Sequence, residues 1–456
     1  MTGAEMHTEK MLEKPTGYYG TIELAMQDLW ADFAGELLSH GEAGRGTGLH
    51  QRRPTEQEVL VALRAWLLQE YMLPYGTSLG ATRIFKRCYW IDGLGPTRLP
   101  ALSPALSVPL EEAAPAKKRE RRKSQTPALP PSLQMAEIVA HRLAGLQRHI
   151  TLYSFALEEK QNRRSNGSQP AGQNGATPDL PLLLPKEGGT LQGNWPDLAP
   201  ILLSTLEGCA AVFLLNPLMK RSLFRHTDLA PLFGRAAPTE LFLWLPHKHI
   251  ETRLLPALHT GEGAAALTNL LRGDRWKGLL AKNGASPELM IPELITLLVQ
   301  SMRQHFLAVQ QLTFPVRTGP ALVETIPYSL IFATRRQDSL ASMNDAVCRR
   351  EHRLIVESHQ GVLSEQWFIA QRAEQEAERL AMLSREVLEL GRAQRARRWP
   401  DLRQHLLLSH FGQHTLQDYD GIISQLIAQS EVRCEWRKRT AETSEPPGNE
   451  DLLLWK

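Results

Sequence analysis

The chain has 456 residues, 42% hydrophobic and 22% charged, ordinary values for a globular protein and enough for about two to three domains. Its 52 basic and 49 acidic residues leave a net charge of +3, too balanced for the total to diagnose a nucleic-acid binder. No apolar run approaches the roughly 18 to 20 residues of a membrane helix, and residues 1–20 lack a signal-peptide core, so no membrane contact and a cytoplasmic location are expected.

Residues 21–39 carry apolar positions at helical spacing. The glycine-rich stretch 41–48 looks like a phosphate loop but lacks a preceding strand and a Lys-Ser/Thr ending, so it reads as a linker. Residues 1–53 are thus an N-terminal helical extension. Thr55 is the expected N-cap of a helix whose face is Val59, Leu60, Leu63, Trp66, Leu67 and Tyr71. The aromatic run 85–91 predicts a buried strand that stops at Asp92-Gly93-Leu94-Gly95-Pro96.

A short helix around 102–106 gives way to a Pro- and Ala-rich insertion over 111–131 with the basic run Lys117-Lys118-Arg119-Glu120-Arg121-Arg122-Lys123. That run is either a solvated linker or a polyanion contact that gains from counterion release. A helix over 136–147 and a strand over 150–157 ending at Glu158-Glu159 follow. Residues 166–189, rich in Gly, Asn, Gln and Pro, predict a disordered loop.

Beyond it the pattern alternates: helix 197–206, strand 210–215 ending at Asn216-Pro217, helix 228–233 and strand 240–245. Helices 267–271, 275–280 and 291–311, strand 323–334 and helix 339–350 complete it. Strands alternating with helices predict an α/β, Rossmann-like, largely parallel sheet over 54–355. An Ala-, Glu- and Arg-rich long helix is expected within 356–395. Over 396–456, two helices and the basic strand 432–437 predict a helical, winged-helix-like module.

The four cysteines, Cys88, Cys209, Cys348 and Cys434, stand singly, which suits buried thiols better than disulfides or a metal site. His247 and His249 lack a nearby third ligand, so polar residues at a sheet edge are the better reading than metal. In doubly wound folds the glycine turn after the first strand faces the cofactor crevice. Asp92, Gly93 and Gly95 are therefore candidate cofactor-binding residues. Glu158, one helix later, stands where a ribose-binding acid would, with a surface acid opening a helix as the equal alternative. Arg433, Arg437, Lys438 and Arg439, interleaved with Trp436 and near Trp399, are candidate nucleic-acid contacts, and so are Lys117, Lys118 and Arg119. Core tryptophans beside a solvated basic strand are the alternative at the C-terminus.

In one order, Tyr89-Trp90-Ile91-Asp92-Gly93-Leu94-Gly95-Pro96, Leu102-Ser103-Pro104, Phe213-Leu214-Leu215-Asn216-Pro217-Leu218, Thr239-Glu240-Leu241-Phe242-Leu243, and Tyr328–Thr334 with Met343-Asn344-Asp345 resemble the three-Cys-motif partner protein family. The resemblance covers roughly residues 55 to 350 and implies a class I methyltransferase-type domain followed by a winged-helix-like part. It implies that Asp92, Gly93 and Gly95 line an S-adenosylmethionine pocket, that Glu158 holds the ribose hydroxyls, and that Asn216 and Pro217 form the substrate-facing turn. It also implies a three-Cys-motif protein as partner, in phage or mobile-element biology, with DNA or RNA as the other partner.

Two departures bear on catalysis. The loop after Asp92 is one residue shorter than the family pattern and lacks its last glycine, with Thr97-Arg98 following Pro96. Leu218-Met219 follow Asn216-Pro217 where active adenine or cytosine amino-methyltransferases carry a second proline and a stacking aromatic. The sequence therefore predicts a degenerate methyltransferase-like protein that binds nucleic acid or a nucleotide, with an active S-adenosylmethionine-dependent nucleic-acid methyltransferase as the alternative.

Overall fold

A computed structural model describes residues 56–95, 131–146, 149–158, 188–219, 224–279, 286–317, 323–359, 365–437 and 446–456. The extension 1–53, the helix at 102–106, the basic run at 117–123, and Lys438 and Arg439 lie outside these residues.

The centre is a seven-stranded sheet of order β3-β2-β1-β4-β5-β7-β6. Its strands are β1 (Arg87–Asp92), β2 (Thr151–Glu158), β3 (Gly189–Gln192), β4 (Ala210–Leu215), β5 (Thr239–Pro246), β6 (Ala308–Arg317) and β7 (Val323–Thr334). Strands β1 to β5 pair in parallel, while β7 pairs antiparallel with both β5 and β6. The expected Rossmann-like, mostly parallel α/β sheet is thus present.

Every residue of β4 and β5 is buried, as strands covered by helices on both faces require. Period-two alternation divides them. Tyr89, Ile91, Phe213, Leu241, Leu243 and Ile331 point into one large core. On the opposite face Tyr71 packs edge-on against Phe242 and Phe332.

That second face is covered by α1 (Glu56–Trp66), a π-helical turn (Leu67–Met72), α2 (Leu73–Ala81), α3 (Pro131–Leu146) and α9 (Gln337–His359). Pro74 sits in the first turn of α2 and has no N–H to offer the carbonyl of Glu70 four residues back. The helix widens into the π turn at this point, and Arg349 of α9 donates to that carbonyl instead, at 3.2 Å. The Glu70 side chain, 2% exposed, also receives Arg349 at 2.9 Å and Arg353 at 2.6 Å, which fastens the helical layer to α9.

The first core packs on α4 (Trp195–Thr205), α5 (His226–Phe233), α6 (His247–His259), α7 (Ala264–Leu271), a 3-10 turn (Arg275–Gly278) and α8 (Pro287–Met302). Several expectations need correction. The helix expected over 291–311 ends at Met302, and β6 begins at Ala308; the unbroken apolar pattern hid the change of period. The loop expected to run to Gly189 yields the four-residue strand β3 at its end. The stretch read as polar residues at a sheet edge opens helix α6. The helix expected to cover Val59 to Tyr71 continues to Ala81.

The C-terminal part comprises α10 (Glu365–Gln394), α11 (Trp399–Ser409), α12 (Leu416–Ala428), β8 (Val432–Glu435) and β9 (Leu452–Trp455). Strand β9 was not foreseen; it pairs antiparallel with β8. Leu383, Val387, Trp399, Leu406, Tyr419 and Ile423 form a separate core for this part. Asn344 and Asp345 of α9 hold it. The Asn344 amide donates to His414 O at 2.7 Å and accepts from Gly412 N at 2.8 Å, while Asp345 accepts from Leu416 N at 2.9 Å. Gly412 has φ +81°, and a Cβ there would lie 2.7 Å from Val347, so the turn demands glycine twice over. Among the described residues no helix is long and apolar enough to cross a membrane.

Candidate functional site

The strand order reverses between β1 and β4: from β1 the chain moves to β2 on one side, and β4 lies on the other. In open α/β sheets a crevice forms outside the carboxyl ends of the strands at such a point. Asp92 ends β1 in register with Ala156 of β2 and Leu214 of β4, so Asp92, Glu158 and Asn216 share this edge.

Asp92 is 1% exposed and is gripped by Arg64 of α1, itself 2% exposed. Arg64 Nε donates to Oδ2 at 2.6 Å and Nη2 to Oδ1 at 3.0 Å. Nη2 also donates to the carbonyl of Gly95 at 2.6 Å. Oδ1 accepts from Leu94 N at 3.0 Å, the local turn that aspartate favours. Arg64 Nη1 is buried with no partner among the described residues.

The two glycines serve the chain's own packing. Gly93 N donates to Leu214 O at 2.8 Å, and a Cβ on Gly93 would lie 2.6 Å from Leu215 Cδ2. Gly95 adopts φ +82°, a conformation glycine takes at no steric cost. Glu158 at the end of β2 is half-buried and accepts from Gln192 Nε2 of β3 at 3.0 Å, leaving its other oxygen without a partner among the described residues.

At the end of β4, Asn216 is 4% exposed and Pro217 is buried. Asn216 Oδ1 accepts from Leu218 N at 2.9 Å, which turns Nδ2 toward His249 Nδ1 of α6 at 3.1 Å. An amide N–H there makes Nδ1 an acceptor and puts the imidazole proton on Nε2. Beside this pair His247 Nε2 meets Ser329 Oγ at 3.0 Å, and burial lowers the His247 pKa. Arg253 donates to Met219 O at 2.8 Å, fixing the turn after Pro217. From sequence His249 is weighed only as a metal ligand, and Arg64 is not singled out. Arg64 is one arginine on an apolar helix face, and only folding shows what it meets.

The C-terminal candidates separate. Arg433 and Arg437 are exposed on and just beyond β8. Trp399 is fully buried, its indole N–H donating to Asp420 at 2.7 Å, so it is a core residue and not a stacking platform. Helix α12 carries Asp418 and Asp420 and no Lys or Arg along its length. Arg403 of α11 is committed to Asp420 at 2.7 Å.

All four cysteines are free thiols; Cys88 and Cys348 are buried, Cys209 and Cys434 half-buried. Burial pushes the Cys88 thiol up to about 12, which leaves it protonated and unreactive. Comparison with family models, curated proteins and solved structures finds no match.

Proposed function

We propose that the chain is a catalytically degenerate methyltransferase-like protein that binds nucleic acid or a nucleotide and acts with a partner protein. The Arg64–Asp92 pair carries this reading. A carboxylate at the end of β1 that should receive a cofactor is held by a guanidinium of the same chain. The sheet supports the methyltransferase-type part, since antiparallel β7 inserts between β5 and β6 and the switch point falls at Asp92 and Asn216. The resemblance supplies the partner, a three-Cys-motif protein, and the phage or mobile-element setting.

Nucleic-acid contact falls to the exposed Arg433 and Arg437 with the adjoining Lys438 and Arg439, and to Lys117, Lys118 and Arg119. The C-terminal part acts through its β8 edge in this winged-helix-like reading, because α12 offers no cation to a phosphate backbone. The test is a mobility-shift titration of the full chain with DNA and RNA at two salt concentrations. Salt-weakened binding that drops in Arg433→Ala/Arg437→Ala supports the proposal, and no shift with either nucleic acid defeats it.

One observation favours a second reading, an active S-adenosylmethionine-dependent nucleic-acid methyltransferase. Asn216 is oriented by Leu218 N–H and His249, and Glu158 has an oxygen to spare for a ribose diol. Saturable binding of S-adenosylmethionine that is lost in Glu158→Gln would move the assignment to that reading.

A further inference from the structure

A cavity of about 400 Å³ lies between the 3-10 turn after α7 and the last turn of α8, at the edge opposite Asp92 and Asn216. It neighbours His305, three residues before β6 begins and hydrogen-bonded through its carbonyl to Arg335 just past the end of β7. Its volume falls within the range of about 300–1,000 Å³ typical of small-molecule sites. Arg272, Arg275, Trp276, Leu297, Gln300 and Gln304 line it, and among the described residues no carboxylate does.

The nearest acid in sequence is spent elsewhere. Asp274 pairs with Lys277 at 2.9 Å and accepts from Thr268 at 2.7 Å, and these hydrogen bonds lower its pKa. Arg275 is exposed and has no ion-pair partner among the described residues. Among the described residues, the hydrogen-bond partner of the Arg272 guanidinium is the imidazole of His305. Arg272 holds a left-handed backbone, φ 55°, at the end of α7, although Gly273 stands next to it. The carboxyl ends of α7 and α8 bring about half a negative charge each. Two whole guanidinium charges outweigh them.

The remaining walls have a different chemistry. Trp276 is 1% exposed, part of the large core, with its indole N–H committed to Thr268 Oγ1 at 3.0 Å, so it backs the cavity and offers a ligand neither a donor nor a stacking face. Half-buried Leu297 supplies accessible apolar surface. The amides of Gln300 and Gln304 are exposed and unpartnered among the described residues, and each can both donate and accept. Paired guanidinium groups fit phosphate oxygens, and an aliphatic patch with amides at its rim fits the body of a small phosphorylated molecule.

We infer that this cavity binds a small phosphate monoester such as a nucleoside monophosphate, its phosphate on Arg272 and Arg275 and the rest of the molecule against Leu297 and the amides of Gln300 and Gln304. The site is separate from the β1–β4 crevice and does not depend on what binds there.

Isothermal titration of the full chain with AMP, inorganic phosphate and adenosine tests the inference. AMP should bind, inorganic phosphate should compete with it, and adenosine should bind at least about tenfold more weakly, since a hydrogen bond to a charged group is worth about 1.5–3 kcal/mol. Arg275→Gln should weaken AMP by about tenfold or more, while Arg303→Gln, just past the end of α8 and not in the cavity lining, should not change it. Arg275 is exposed and has no ion-pair partner among the described residues, so this variant reports on the site even if Arg272→Gln disturbs the fold. AMP affinity unchanged in Arg275→Gln, adenosine binding as tightly as AMP, or no AMP binding at millimolar concentration would each overturn the inference. Glu158→Gln should leave AMP binding intact, which keeps this outcome distinct from any result at the crevice.

Discussion

Arg64 and Asp92, 28 residues apart in sequence, form a two-pronged buried ion pair at 2.6 and 3.0 Å across the carboxyl end of the first strand. Such a pair gains little over an apolar replacement, but breaking it strands a charge in the interior. Arg64→Met should therefore cost about 3–5 kcal/mol in urea unfolding, and Arg64→Met/Asp92→Leu should recover much of that loss. A cost below about 1 kcal/mol for the single variant would show that water reaches Asp92 and that the turn is open.

Glu240 is fully buried in β5 and accepts from Ser339 Oγ at 2.7 Å. Burial raises its pKa to about 7 from 4.5, against the pull of hydrogen bonds from Ser339, Thr334 and Tyr71. The folded carboxyl holds a proton that the unfolded one has released, so this contribution is complete below pH 4.5 and is lost as pH rises through 7. Stability should fall by about 3 kcal/mol across that window, and Glu240→Gln should remove the fall. Chemical denaturation at a series of pH values measures it.

His414 behaves in the opposite sense. Burial, helped by Arg379, lowers its pKa to about 4 from 6.5. The unfolded imidazole binds a proton that the folded one refuses, so stability is present above pH 6.5 and is lost as pH falls toward 4. His414→Phe keeps an aromatic ring against Tyr419, 5.8 Å away, and should abolish the acid-side loss while leaving the Glu240 slope in place. Identical pH profiles for the variant and the parent chain would contradict this.

Gly391 of α10 lies beneath the ring of Trp455, and any Cβ there would collide with it. Gly391→Ala gains up to about 1 kcal/mol of helix propensity but should lose about 1–3 kcal/mol to overpacking. A net fall in thermal stability, with Trp455 fluorescence shifted to longer wavelength, is the expected outcome. A rise would mean that β9 is not seated on α10.

Strands β1, β4, β5 and β7 were legible because each carries an unbroken apolar run of four or more residues, Leu330 to Ala333 in the case of β7, as a strand buried on both faces must. Strand β6 was not: Gln310 and Gln311 follow an apolar helix with no glycine or proline between, and nothing local marks the switch of period. Strands β3 and β9 are four residues each and owe their existence to the partner they pair with. At the candidate site, Asp92 and Asn216 could be found because they end strands at a switch point. Arg64 and His249 could not, since one belongs to a helix two elements earlier and the other to a helix hidden by its histidines and Pro256. Glu240 did leave a signal, an acid inside a strand otherwise built for the core.

The turn after β1 is closed by the chain's own Arg64, and isothermal titration of the full chain with S-adenosylmethionine tests the consequence most directly. No binding heat at high micromolar cofactor is expected for the parent chain. Saturable one-to-one binding that disappears in Asp92→Ala would contradict the degenerate reading and make the crevice a working cofactor site.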